Sequence, residues 1–202
     1  AGKLFGLRTA SDNFGFDEMK EGVSYAHEHG KKAYLTMNII AHNQNVSQVV
    51  PFLEEAVQTG IDGVIVSDPG IFQIIREAQP DLPIHISTQT STANYRTVEF
   101  WHRLGAKRIV LARELSLEEI REISEKMPDA ELEVFIHGAM CISYSGRCLL
   151  SNYMAGRDAN QGDCAHPCRW RYHLVEEKRP GQYYPIEEDS SGTFVFNSKD
   201  LC

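Results

Sequence analysis

From residue 14 to residue 138 the chain repeats one theme. A stretch with apolar residues three and four apart is followed by a short apolar run and then by a polar cluster. The first kind of spacing lines one face of a helix; the second suits a buried strand. Helices are predicted over 16–30, 46–60, 71–78, 94–105 and 116–127, and strands over 33–39, 63–67, 84–88, 108–112 and 132–137. Gly30, Gly60 and Gly105 stand where a helix end favours a left-handed residue. Ser116 and Glu119 have capping-box spacing. A further strand-like run opens the chain at 3–8.

Strand, helix and strand at this spacing imply right-handed crossovers and a parallel sheet. Either a (β/α)8 barrel or an open doubly wound sheet fits. No Gly-x-Gly-x-x-Gly turn follows the first strand, so a dinucleotide-binding open sheet has no support. Polar residues follow the strands instead: Arg8, Asn13, Asn38, Asp68, Ser87-Thr88-Gln89, Arg113-Glu114 and His137. An amide, a carboxylate, a guanidinium and an imidazole at successive strand ends point to the rim of a TIM-type barrel. About six strands are present by this reading, so the expected fold is an incomplete barrel over 1–138. Both ends of the chain read as cuts through a longer protein.

The pattern changes in 139–202. Periodicity fades, four cysteines and several arginines fall within 139–171, and 172–176 and 193–197 read as two short strands joined by a long exposed connection. Composition adds bounds. Lys and Arg number 20 against 28 Asp and Glu, a formal charge of −8, which disfavours bulk nucleic-acid affinity. No apolar run reaches the ~20 residues of a membrane span, and no leader peptide is visible, so a cytoplasmic domain is expected.

Cys141, Cys148, Cys164, Cys168 and Cys202 are an odd number, all in the last third of the chain. Without secretion signals, such clustering favours metal or redox chemistry over structural disulfides. A zinc site usually carries a Cys-x2-Cys knuckle, and none is present. The looser arms suit a four-thiolate iron–sulfur cluster better. Zinc, or buried thiols, remain open from spacing alone. His137 and Cys141, four apart, also have the residue types of a cysteine-protease dyad.

The segment Glu131-Leu-Glu-Val-Phe-Ile-His-Gly-Ala-Met-Cys-Ile-Ser-Tyr-Ser-Gly-Arg-Cys-Leu-Leu-Ser151 resembles the signature of the collagenase-like peptidase family U32. Gly162-Asp-Cys-Ala-His-Pro-Cys-Arg-Trp-Arg-Tyr172, Gly2-Lys-Leu-Phe-Gly-Leu-Arg8 and Ser198-Lys-Asp-Leu-Cys202 resemble the same family. The resemblance implies a TIM-type barrel of which this chain lacks the first and last strands. Despite the peptidase name, better-understood members hydroxylate tRNA, 23S ribosomal RNA or ubiquinone. The sequence most resembles the tRNA-acting group, which makes 5-hydroxyuridine at the wobble position. That implies oxygen-independent hydroxylation, prephenate as oxygen source, and a 4Fe-4S cluster (alternative: zinc). The ubiquinone-acting members suggest Cys141, Cys148, one of Cys164 and Cys168, and Cys202 as ligands. A local alternative is Cys141, Cys148, Cys164 and Cys168.

Under this reading His137, Arg113 and Asp68 are candidate catalytic residues, and Arg8, Asn38, Gln89 and Arg113 candidate substrate ligands. The two arginines would hold a small carboxylate such as prephenate, and His137 would shuttle a proton. RNA contact would rest on Arg147, Arg157, Arg169, Arg171, Lys178 and Arg179, with Trp170, Tyr172, Tyr183 and Tyr184 for stacking. Missing strands would expose sheet edges, so a homo-oligomer or partner subunit is expected. The rival reading is a peptidase. A His-Glu-x-x-His helix and a Gly-x-Ser-x-Gly elbow are both absent, which leaves only a cysteine-based or unknown mechanism.

Overall fold

The computed structural model describes residues 4–6, 13–138, 141–174, 177–178, 180–181 and 184–185. Five parallel strands, β1 (Tyr34–Met37), β2 (Gly63–Val66), β3 (Ile84–Ile86), β4 (Arg108–Val110) and β5 (Glu131–Glu133), form one sheet in the order β1-β2-β3-β4-β5. Helices α1 (Phe16–Glu28), α2 (Asn43–Gln58), α3 (Pro69–Ala78), α4 (Tyr95–Arg103) and α5 (Leu117–Lys126) alternate with them. Because every crossover advances in the same direction, right-handedness puts all the connecting helices on one face. A doubly wound sheet would reverse direction partway, and this one does not.

The core lies between that face and the helices. In register, Met37 stands beside Val66, Val66 beside Ile86, and Ile86 beside Ile109. All four are buried, as are Leu35, Val64 and Ile84 one row below. Against them α2 turns Val49, Phe52, Leu53 and Ala56, the i, i+3, i+4, i+7 stripe of an amphipathic helix. Ile71 and Ile75 of α3, Val98 and Trp101 of α4 and Ile123 of α5 extend the same layer. Gly30, Gly60 and Gly105 do follow their helices at positive φ, and the Ser116–Glu119 box closes in both directions.

The opposite face carries a largely polar row, Thr36, His85, Arg108 and Glu131 with Ile65 among them. Gly63 leaves room there: a Cβ on it would sit 2.6 Å from the Pro83 carbonyl oxygen and 3.2 Å from the Tyr34 ring. Tyr34 stacks on His85 with ring centroids 4.5 Å apart. Arg108 lies over the Tyr34 ring and bonds Glu131 through Nε at 2.6 Å. Burial first, then the Arg108 charge, pushes His85 from an ordinary 6.5 down to about 4. The unfolded chain binds this proton more tightly than the native one. The stabilising effect is therefore complete above pH 6.5 and is lost as pH falls from 6.5 towards 4. Urea midpoints across that window should drop for the wild type and drop less for His85→Gln.

The α/β alternation and the parallel sheet are as expected, and among the described residues the sheet is open, with β1 and β5 as its outer strands. Two other expectations need correction. β5 ends at Glu133, short of 137, and Val134, Phe135 and Ile136 are exposed. Beyond the bond from the Leu111 amide to the Glu133 carbonyl (2.9 Å), β4 offers no further pairing, and no described strand lies on the other side. At the start, Leu4, Phe5 and Gly6 form a bend, with Phe5 at φ 63° and its carbonyl taking the Ile39 amide (3.0 Å).

After β5 the chain forms a short helix, α6 (Leu150–Ala155), and three-residue 3-10 turns at Tyr144–Gly146, Ala159–Gln161 and Pro167–Arg169. Strands β6 (His173–Leu174) and β7 (Tyr184–Pro185) pair antiparallel. The partner of β6 is thus 184–185, reached through a turn at Pro180-Gly181 with Gly181 at φ 87°. The expected strand at 193–197 lies outside the described residues. Among the described residues no helix is long and apolar enough to cross a membrane.

Candidate functional site at the strand ends

The cysteine segment docks on the carboxyl ends of the strands, where the polar residues gather. Gln89, in the turn after β3, is the hub. Its Oε1 accepts from Ser67 Oγ (3.0 Å), Ser87 Oγ (2.5 Å) and Asn38 Nδ2 (3.1 Å), and its Nε2 donates to the Asn38 carbonyl (3.0 Å). The Gln89 backbone carbonyl takes Nε of Arg147 at 2.7 Å. Gln89 is buried and its amide is spent on its neighbours, so its role is to fix the ends of β1, β2 and β3 relative to one another.

Asp68 follows β2 and caps α3. Its Oδ1 accepts the Gly70 and Ile71 amides (2.8 and 3.1 Å), and its Oδ2 accepts the Ala41 amide (3.1 Å). This local geometry gives it a structural duty at the rim. Asp68→Ala should cost about 1 kcal/mol in a urea titration, and Asp68→Asn, which keeps an acceptor oxygen, less. A fully stable Asp68→Asn protein with no activity would instead identify a proton-transfer role.

Past β4, Arg113 and Glu114 face the cysteine segment. Glu114 accepts from the Ser145 amide (2.6 Å) and the Ser145 hydroxyl (3.0 Å). Ser145 is fully buried and sits at φ 47°, a left-handed conformation that a non-glycine residue holds only when its surroundings impose it. The next residue, Gly146, has φ 83°, and a Cβ there would stand 3.4 Å from a terminal nitrogen of Arg113. The Arg113 guanidinium lies over the Phe135 ring at 5.6 Å. Its Nε is fully buried and has no hydrogen-bond partner among the described residues. A buried, charged donor of this kind at a rim is suited to an anionic acceptor.

Cys141, Cys148, Cys164 and Cys168 are free thiols. Cys148 is held from both sides by Asn160: its amide donates to Asn160 Oδ1 (3.1 Å), and its carbonyl accepts Asn160 Nδ2 (2.9 Å). The Asn160 carbonyl in turn takes the Ile40 amide at 3.0 Å, which ties Cys148 to the end of β1. Backbone amides two residues on approach three of the sulfurs: Ser143 to Cys141, Leu150 to Cys148 (3.3 Å) and His166 to Cys164 (3.4 Å). Such N–H···S bonds are a recurring feature of thiolate–metal sites. Burial pushes the Cys141 thiol up, opposed by the Ser143 amide and the Arg113 charge, while Cys148 and Cys168 lie near enough to push it further up. A thiol so raised is a weak nucleophile unaided and ionises when a metal binds it.

The donor chemistry fits a metal cluster: soft ligands, amides on the sulfurs and a guanidinium beside them. Among the described residues, no three His, Cys, Asp or Glu side chains are gathered closely enough to enclose a single metal ion. Of the residues singled out from the sequence, the fold joins Asn38 to Gln89 and brings Arg113 beside Cys141. Asp68 is occupied as a cap, and His137 is exposed beyond β5. Arg8, Cys202, Arg179 and Tyr183 lie outside the described residues. The sequence reasoning passed over Ser145 and Asn160, whose partners are 31 and 12 residues away. No local pattern marks them.

The family model described as Peptidase family U32 matches residues 1–202. The chain is 39% identical over 236 residues to tRNA hydroxylation protein P of Escherichia coli (strain K12), covering 98% of this chain and 52% of that protein. It is 44% identical over 200 residues to tRNA hydroxylation protein P1 of Bacillus subtilis (strain 168), covering 99% and 47%. The chain thus spans about half the length of these relatives. In fold it is similar to the U32 peptidase Mk0906, with a TM-score of 0.55 and 20% identity over 68% of this chain and 57% of that one.

Proposed function

Because the chain belongs to peptidase family U32, we propose that it is the cysteine-bearing part of an enzyme that hydroxylates RNA, with a wobble uridine of tRNA as substrate. The observation that carries this reading is the docking of the Cys141–Cys148 loop on the strand ends, where Cys141 feels the charge of Arg113, whose Nε has no partner among the described residues. The names of the relatives, tRNA hydroxylation proteins, supply the substrate class.

We read the open sheet as an arc of a TIM-type barrel. Sequential strand order, helices on one face and functional residues at one rim support that reading. An apolar cleft beside β1, lined by Phe14, Met19, Val23, Tyr34 and Leu35, suits the side of a preceding strand.

Cys141, Cys148, Cys164 and Cys168 are the ligands within the described residues, with Cys202 as the alternative fourth. A 4Fe-4S cluster held by these residues would supply redox chemistry. Arg113, with Arg8, holds the carboxylate of a prephenate-like oxygen donor by charge-assisted bonds. Gln89 sets the orientation of Asn38, which contacts the base edge. His137, exposed at the rim, moves a proton at its ring nitrogen. Among the described residues no paired nucleophile and base supports proteolysis: His137 is exposed, and the Cys141 thiol is raised rather than lowered.

The test is anaerobic incubation of the full-length protein with unmodified tRNA and prephenate, followed by nucleoside mass spectrometry. A uridine heavier by one oxygen atom is expected, and only when prephenate is present. Unmodified tRNA under these conditions, with cleavage of a peptide substrate, would overturn the reading.

A further inference from the structure

The last third of the chain exposes an unusual set of side chains. On α6 and just before it, Tyr153 is 87% exposed and Leu149 76%. This helix packs against the Pro167–Arg169 turn, which leads directly into Trp170. There Trp170, 46% exposed, lies within 27° of parallel to Tyr172 with ring centroids 6.5 Å apart. The Tyr172 hydroxyl donates to the Pro167 carbonyl at 2.8 Å, which fixes that ring.

Charge sharpens the picture. Residues 164–175 contain Arg169 and Arg171 and no Asp or Glu, in a chain whose formal charge is −8. Both arginines are exposed, and neither takes part in an ion pair among the described residues. Nearby arginines are spent: Arg157 pairs with Asp163, and Nε of Arg147 is held by the Gln89 carbonyl. Exposed rings beside uncommitted guanidinium groups, on an otherwise acidic protein, complement a polyanion that carries flat faces.

We infer that α6 and residues 169–172 form a platform for unpaired nucleotides of an RNA loop, with bases stacking on Trp170 and Tyr153 and phosphates held by Arg169 and Arg171. Double-stranded RNA keeps its bases stacked inside the helix and does not offer these faces. Cys168 directly precedes Arg169, so a loop seated here lies beside the proposed metal centre. The inference rests on the RNA-hydroxylase reading for the identity of the polyanion.

The experiment uses full-length protein purified anaerobically and a fluorescent, unmodified anticodon stem-loop as probe, with binding followed by anisotropy over a salt series. Trp170→Ala should weaken binding about tenfold or more, and Trp170→Phe should recover most of it. Tyr153→Ala, on α6, should weaken it in the same sense. Replacing Arg169 and Arg171 together by Gln should flatten the slope of log affinity against log salt by about 1.4, roughly 0.7 for each single-strand phosphate contact. Iron and sulfide content should not change in any variant. Stem-loop affinities equal to the wild type would overturn the platform while leaving hydroxylation intact. So would a wild-type dimer that Trp170→Ala dissociates without altering RNA affinity, since that would assign the face to a second copy. A wild-type protein that neither binds nor hydroxylates RNA would overturn the platform and the enzymatic reading together.

Discussion

Replacing Arg113 by alanine should leave the melting temperature unchanged or raise it, while cutting RNA hydroxylation by about 100-fold or more. The two effects have opposite signs for one reason. Arg113 keeps a buried Nε without a partner among the described residues, an arrangement that costs stability, so removing the charge relieves the native state. The same unpaired donor is what the proposed chemistry needs: a preorganised cation beside Cys141 that can take an anionic group. Arg113→Lys keeps the charge but loses the planar fork, and should recover only part of the activity. Thermal unfolding and initial rates on the same preparations check the pair. A large loss of stability with Arg113→Ala would mean that the guanidinium is a structural prop.

Glu114→Ala should strip the metal from the protein with little change in the unfolding of the five-stranded sheet. Among the described residues Glu114 accepts from both the amide and the hydroxyl of Ser145, and Ser145 lies between Cys141 and Cys148 in the loop that carries them. Hydrogen bonds to a charged acceptor contribute about 1.5–3 kcal/mol each. Their loss leaves two buried donors unpaired and removes what holds Ser145 at φ 47°. The loop should relax and carry two of its thiols away. Iron content per chain, set against circular dichroism of the fold, separates this from general unfolding. Glu114→Gln, which retains one acceptor oxygen, should keep part of the iron.

The sequence carried the helices and strands well because each follows from a repeating pattern. Val49, Phe52, Leu53 and Ala56 recur at helical spacing, Leu35 and Met37 alternate as strand residues do, and Gly30, Gly60 and Gly105 mark helix ends. β5 was overestimated because Val134, Phe135 and Ile136 read as a buried strand. Their apolarity says nothing about whether a neighbour exists to pair with them. The hairpin partner of β6 was misplaced for a related reason: 193–197 is the more apolar run, but the Pro180-Gly181 turn brings Tyr184–Pro185 alongside first.

At the site, residue types were legible and their duties were not. Asp68 looks like a rim carboxylate, yet its place one residue before Pro69 makes it a helix cap, a local signal that was available. The Glu114–Ser145 and Asn160–Cys148 couplings join segments without periodicity and are visible only once the chain is folded. Barrel closure has the same character, since strand order is readable from βα alternation whereas closure depends on what pairs with β1 and β5.

The central claim is that these cysteines hold an iron–sulfur cluster that serves RNA hydroxylation. Its most direct test is iron, acid-labile sulfide and zinc per chain in the full-length protein purified anaerobically, alongside Cys148→Ala. About four iron and four sulfide, the content of a single 4Fe-4S cluster, are predicted for the wild type, with both lost in the variant. Stoichiometric zinc without sulfide, or a Cys148→Ala protein that keeps its full iron and sulfide, would contradict the account.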